Sequence, residues 1–206
     1  MDPNIPRSYL RLYLLLFAAL GAAACSAGRP NLSEVTLPPA RSNHVGFSLV
    51  PLNEPGWLVL QKAPGFVAFG KRGGDPDETF GLQASSTSVP KYASNDDFYA
   101  STRNPPPTGG PPGRFRLVSY QSRPAPDKGE KCVRAHSLAE DHSPTRPSKR
   151  TEFMLLEAYT LLCVHPKNST VGIAVTFSQR YYSGNRAARL DKDAEVIFSS
   201  VALSDF

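Results

Sequence analysis

The sequence predicts an α+β fold in one domain, a mostly antiparallel sheet covered by helices and closed by one disulfide. Three observations predict it. Short β-type runs follow one another between Pro/Gly punctuation marks, two cysteines fall within strand-like runs, and Leu190, Ala194, Ile197 and Val201 recur at helical spacing near the C-terminus.

The first strands are expected at residues 57–60, 65–69 and 79–84, separated by Pro64-Gly65 and by Gly73-Gly74-Asp75-Pro76. They read as an opening meander. Trp57, the only tryptophan, is assigned to the core. Asn95 can cap a short helix carrying Phe98 and Tyr99, with Asp96 and Asp97 in the first turn, where the helix dipole favours acids. That helix must end before Pro105. Residues 104–113 hold five prolines and three glycines and read as an exposed loop.

Four consecutive strands are expected next, at residues 114–123, 131–139, 152–165 and 171–182. In the last, Val171, Ile173, Val175 and Phe177 share one face. The third is apolar at successive positions, in Phe153-Met154-Leu155-Leu156 and again in Leu161-Leu162-Cys163-Val164. Such a strand is covered on both faces and belongs in the interior of the sheet. The C-terminal stripe, widened by Phe198, supplies a helix to cover one of them.

The N-terminus carries an address. Arg7 and Arg11 precede an apolar stretch at residues 12–20, and Gly21-Ala22-Ala23-Ala24 leads into Cys25. This is the layout of a secretion signal over residues 1–24. An uncleaved membrane helix fails on length, because about thirteen helical residues span roughly 20 Å against a hydrocarbon core of about 30 Å. A cysteine directly after small residues resembles the lipobox of bacterial lipoproteins, with Ala22 where that family usually has Leu. The resemblance implies diacylation of Cys25, a membrane anchor through it, and a new N-terminus there. Ser26 in place of Asp implies, by the same resemblance, the outer membrane, facing the periplasm. A simple signal peptide cut near Ala24 remains the alternative.

Residues 25–44, with Pro30, Pro38 and Pro39, read as a lipidated N-terminus and flexible tether, and residues 45–206 as the α+β domain. Once Cys25 is assigned to lipid, Cys132 and Cys163 remain, and an exported chain pairs them. Placing them opposite each other in a hairpin sets Arg134 against Leu161, His136 against Tyr159 and Leu138 against Glu157. In element order, residues 45–206 resemble the sandwich of the photosystem-II extrinsic protein PsbP and its bacterial relatives.

Loss of the first 24 residues leaves a net charge of +4, scattered along the chain, with no basic stripe interleaved with aromatics. Nucleic acid is therefore excluded as a partner. The sequence contains no nucleophile elbow, zinc-protease helix, P-loop or dinucleotide fingerprint, and no cofactor is expected. The best candidate for metal or acid chemistry is His136, Glu140, Asp141 and His142, which would make the chain an envelope hydrolase. Against that, Glu140 to His142 fall where a strand passes into a loop, while a metal site needs ligands held by neighbours. His44 and His165 read as surface histidines. The preferred binding surface is Arg180, Tyr181, Tyr182 and Arg186, residue types that carry energy at interfaces. The alternative is that the tyrosines pack inward while the arginines are solvated. The chain is similar in type to small lipoproteins of Gram-negative bacteria. The expectation is thus an anchored, non-catalytic module that binds an envelope protein or a small envelope ligand.

Overall fold

The structure is a computed structural model and describes residues 32–105, 112–142 and 153–204. The expected signal segment, Cys25 and parts of two loops lie outside the described residues. Ser33–Phe206 forms one compact unit.

Strands β1 (Ser33–Glu34), β2 (Ser42–His44) and β3 (Phe47–Leu49) precede the meander of β4 (Leu58–Ala63), β5 (Phe66–Arg72) and β6 (Thr79–Ser88). Helix α1 (Asn95–Ser101) separates these from β7 (Phe115–Pro124), β8 (Cys132–Asp141), β9 (Met154–His165) and β10 (Asn168–Tyr181). Helix α2 (Leu190–Ser200) and β11 (Ala202–Leu203) end the chain. The main sheet runs β1-β4-β5-β6-β10-β9-β8-β7, antiparallel throughout. A smaller sheet runs β11-β3-β2.

The hairpin register agrees with the expectation at every named pair. Cys132 lies opposite Cys163, Arg134 opposite Leu161, His136 opposite Tyr159 and Leu138 opposite Glu157. The two cysteines are bonded. The four late strands are consecutive neighbours, and β9 lies in the interior between β8 and β10.

Alternation along the strands makes the core. Val67, Phe69, Leu82, Leu161, Ile173, Val175 and Phe177 face one side and pack with Trp57, Phe47 and Leu49. Leu190, Ala194, Ile197 and Phe198, the stripe read from helical spacing, close over them. Each fully buried large apolar side chain there contributes about 1.5–3 kcal/mol over its exposed form.

Four expectations require correction. The sheet is not covered by helices on both faces: α2 and the small sheet cover one, and α1, with Phe98 as its buried residue, reaches only a corner of the other. Seven residues with one inward anchor are too short to roof a sheet of ten- to fourteen-residue strands. Strand pairing also starts before Val45, because Ser33 and Glu34 pair with Val59 and Leu58, and β2 pairs with β3. Helix α1 is capped by Ser94, whose hydroxyl accepts from the Asp97 amide at 3.1 Å, and not by Asn95, which is already helical. His44 and His165 are buried, not surface residues. His44 Nδ1 bonds the Ala63 carbonyl at 3.0 Å, and His165 Nε2 bonds the Ser204 carbonyl at 2.9 Å, so each imidazole ties a terminal segment to the body. Among the described residues no helix is long and apolar enough to cross a membrane.

Candidate functional site

Because side chains alternate, the open face of the sheet carries the partners of the core positions. Leu156, Ala158, Thr160 and Leu162 of β9 point there, with Thr176 and Ser178 of β10 and Ala135, Ser137 and Ala139 of β8. They form the floor of a trough of about 910 Å³. Leu60 and Leu117 stand at its sides, half exposed, and Thr102, Asn104 and Pro105 bound it beside α1. Tyr120 donates to the Thr102 carbonyl at 2.9 Å and fixes that end. On the floor, Thr160 and Thr176 share a hydroxyl hydrogen bond of 3.0 Å. Among the described residues no charged side chain lines the trough. Its volume falls in the range of small-ligand sites, and its lining suits an apolar body with a few neutral polar groups.

The covered face holds a different chemistry at Glu157, which is 4% exposed. Arg186 grips it with two donors, Nε at 2.8 Å and Nη2 at 3.0 Å. Tyr181 donates at 2.8 Å, Tyr159 at 2.9 Å, and His136 Nε2 lies 2.9 Å away. Burial pushes the Glu157 carboxyl up, but the hydrogen bonds from Arg186, Tyr181, His136 and Tyr159 outweigh it and hold the group at about 2. Burial and the same carboxylate push the Tyr181 and Tyr159 phenols up. The turn after β10 makes this possible. Gly184, at φ 94°, lets the Asn185 amide return to the Tyr182 carbonyl at 2.9 Å, which brings Arg186 back over the sheet.

The four residues expected to form one surface are therefore divided. Tyr181 and Arg186 meet at Glu157. Arg180 points to the opposite face, where it bonds Asp141 at 3.3 Å and the Asp77 carbonyl at 3.2 Å, and Tyr182 donates to Asp77. Asp141 also takes Arg114 through two bonds, at 2.9 and 3.2 Å. Both tyrosines are buried and both arginines are ion-paired, so the polar ends of all four are engaged within the protein, with the buried Arg180 Nε as the one atom of theirs that has no hydrogen-bond partner among the described residues.

The His136 to His142 segment does not converge either. His136 is committed to Glu157, whereas His142 Nε2 lies 2.9 Å from Glu140, which Arg116 also holds through bonds of 2.6 and 2.7 Å. The Arg116 guanidinium draws the Glu140 carboxyl below its usual range. Asp141 faces the other side of the sheet. Among the described residues no group of three or more His, Cys, Asp or Glu is placed to hold a metal ion. His136 does line a groove of about 760 Å³ between the β7–β8 edge and α2, with Arg123, Arg134, Tyr159, Lys192 and Val196. Its ring stacks on Tyr159 with centroids 4.5 Å apart.

Sequence reading missed both the trough and Glu157. For Glu157 a signal existed: a lone acid in an apolar strand, opposite Leu138 and two pairs along the ladder, hence on the same face, from His136 opposite Tyr159, is a buried carboxylate in need of donors. For the trough the signal was the run of small residues Ala135, Ser137 and Ala139 on alternate positions of β8.

No family model matches this chain, and no curated protein sequence matches it. Among solved structures it is similar to the Ran-binding protein Mog1p of Saccharomyces cerevisiae, at 8% identity and TM-score 0.37, covering 85% of this chain and 96% of that one. A mutant of protein Mog1 compares at 9% identity and TM-score 0.37, over 85% of this chain and 97% of that one. Likeness at this level says nothing about the partners of this chain.

Proposed function

We propose that this chain is a lipid-anchored, non-catalytic binding module of the cell envelope, and that it holds a small, uncharged, largely apolar ligand in the trough. The observation that supports the ligand is the lining: about 910 Å³ bounded by aliphatic, aromatic and small uncharged side chains, with hydroxyls on the floor and no charge among the described residues. A carboxylate or phosphate entering it would lose its hydration with no cation to replace it. The lipobox-like Cys25 supports the anchor and an outer-membrane address facing the periplasm. The hydrolase reading has less support, since His136 and His142 bond different carboxylates.

Binding of the neutral fluorophore N-phenylnaphthylamine tests the trough. Fluorescence should rise saturably with the wild-type protein, and Ala158→Phe, which fills the floor, should weaken binding at least tenfold with little change in melting temperature. Saturable binding that Ala158→Phe leaves intact, or no binding at all, would remove the trough from the proposal.

A further inference from the structure

The main sheet ends in two unequal edges. One is β1, only two residues long; the other is β7, ten residues long, and no strand among the described residues pairs with its outer side. Long free edges offer a row of unpaired amides and carbonyls to any extended chain, and proteins ordinarily shorten or shield them. Here the edge also carries apolar surface at its middle, where Val118 is 54% and Leu117 41% exposed.

Three hollows reach this one strand. The trough includes Phe115, Leu117 and Tyr120; the groove against α2 includes Gln121, Ser122 and Arg123; a third hollow, of about 540 Å³ beside α1, includes Ser122, Arg123 and Pro124. A strand added to β7 would send alternate side chains to the two faces of the sheet, one set toward the trough and the hollow beside α1, the other toward the groove. That is how strand addition combines main-chain affinity with side-chain specificity.

Charge narrows the occupant. On the strand itself, residues 114–124 include three arginines and no acid, and the acids lining the two hollows at Arg123 are Asp96 and Asp97 across the hollow beside α1 and Asp191 and Glu195 across the groove. Arg114 and Arg116 are taken by Asp141 and Glu140, while Arg123 has no ion-pair or hydrogen-bond partner among the described residues. A second copy paired antiparallel about Ser119 and Tyr120 would set Arg116, already held by Glu140, against Arg123, and so would bring Arg123 no acid on the paired strand. We infer that β7 is a docking edge for an extended segment of a different protein, one with apolar residues at alternate positions and a carboxylate placed over Arg123. This goes beyond the trough ligand in ligand class, and in surface it adds the outer edge of β7, whose Phe115, Leu117 and Tyr120 also line the trough.

The probe is a blocked ten-residue peptide alternating Val and Thr, with Glu near its N-terminus, the end that antiparallel pairing brings to Arg123. Hydrogen exchange on the full chain in detergent should slow at 115–124 when the peptide is added, with no slowing at 154–165. Arg123→Glu should weaken the peptide at least tenfold, and a Lys-for-Glu peptide should restore binding to that variant. Circular dichroism checks that the variant is folded. Three results would overturn the inference: no slowing at 115–124, equal binding by Arg123→Glu, or slowing confined to the trough floor. A dimer in sedimentation that protects 115–124 without peptide would also overturn it, in favour of a second copy.

Discussion

Glu157 shows how a buried charge can be kept ionised inside a sheet. Four side chains from three strands and the following turn, His136, Tyr159, Tyr181 and Arg186, point hydrogens or a ring nitrogen at its two oxygens. Its folded-state value of about 2 lies below that of an unfolded Glu, near 4.3. The sign follows directly: the stabilisation is complete above the unfolded value and is lost as pH falls through the folded one. Urea denaturation should therefore show stability declining between about pH 5 and pH 2. Glu157→Gln should cost about 3 kcal/mol at neutral pH and flatten part of that decline. Some slope should persist, because Glu140 and Asp127 are also held low by arginines. A variant that keeps the full acid slope and loses no stability would show that Glu157 is not the residue titrating. For the same reason Arg186 belongs to the stability of the fold, and its exposure alone would have misplaced it among solvated charges.

At the scale of elements, the β8–β9 hairpin is held by Cys132–Cys163 at a sequence separation of 31. Replacing both cysteines with Ala should lower stability by about 2–4 kcal/mol, read from the urea midpoint, because the unfolded chain regains the freedom of that loop. An unchanged midpoint would mean that the ten paired positions of the hairpin suffice alone. This hairpin was legible because two cysteines and one apolar run determine a single register. The pairing of β6 with β10 was not, since it joins segments some ninety residues apart and no local pattern marks it. The short strands β1 and β2 were hidden for another reason: prolines at 30, 38 and 39 read as tether, yet the two residues of β1 before Pro38 and the three of β2 after Pro39 still find partners. The trough was hidden by an ambiguity in the apolar run of β9. Leu156, Ala158 and Leu162 look the same in sequence whether a helix or a ligand is to cover them, so apolar residues at successive positions established that both faces shun water without saying what lies on the second.

For the whole molecule, the early start of the sheet changes how an anchor would act. With β1 paired from Ser33 and not from the expected start near Val45, only seven residues, 26–32, separate Cys25 from the first paired strand. Seven residues reach no further than about 25 Å even fully extended. An acylated Cys25 would thus hold the folded unit within a short radius of the bilayer, where an apolar ligand of the trough partitions and where an envelope partner could meet the β7 edge. One acyl chain binds a membrane marginally and two or more bind it durably, so full acylation is what such a role requires. Mass spectrometry of the mature N-terminus should find a diacylglyceryl group on Cys25, and Cys25→Ser should leave an uncleaved precursor or a soluble form. An unmodified N-terminus at Ser26 or later would end the lipoprotein reading. The trough and the docking edge would remain testable on the released protein, since neither depends on residues before Leu32.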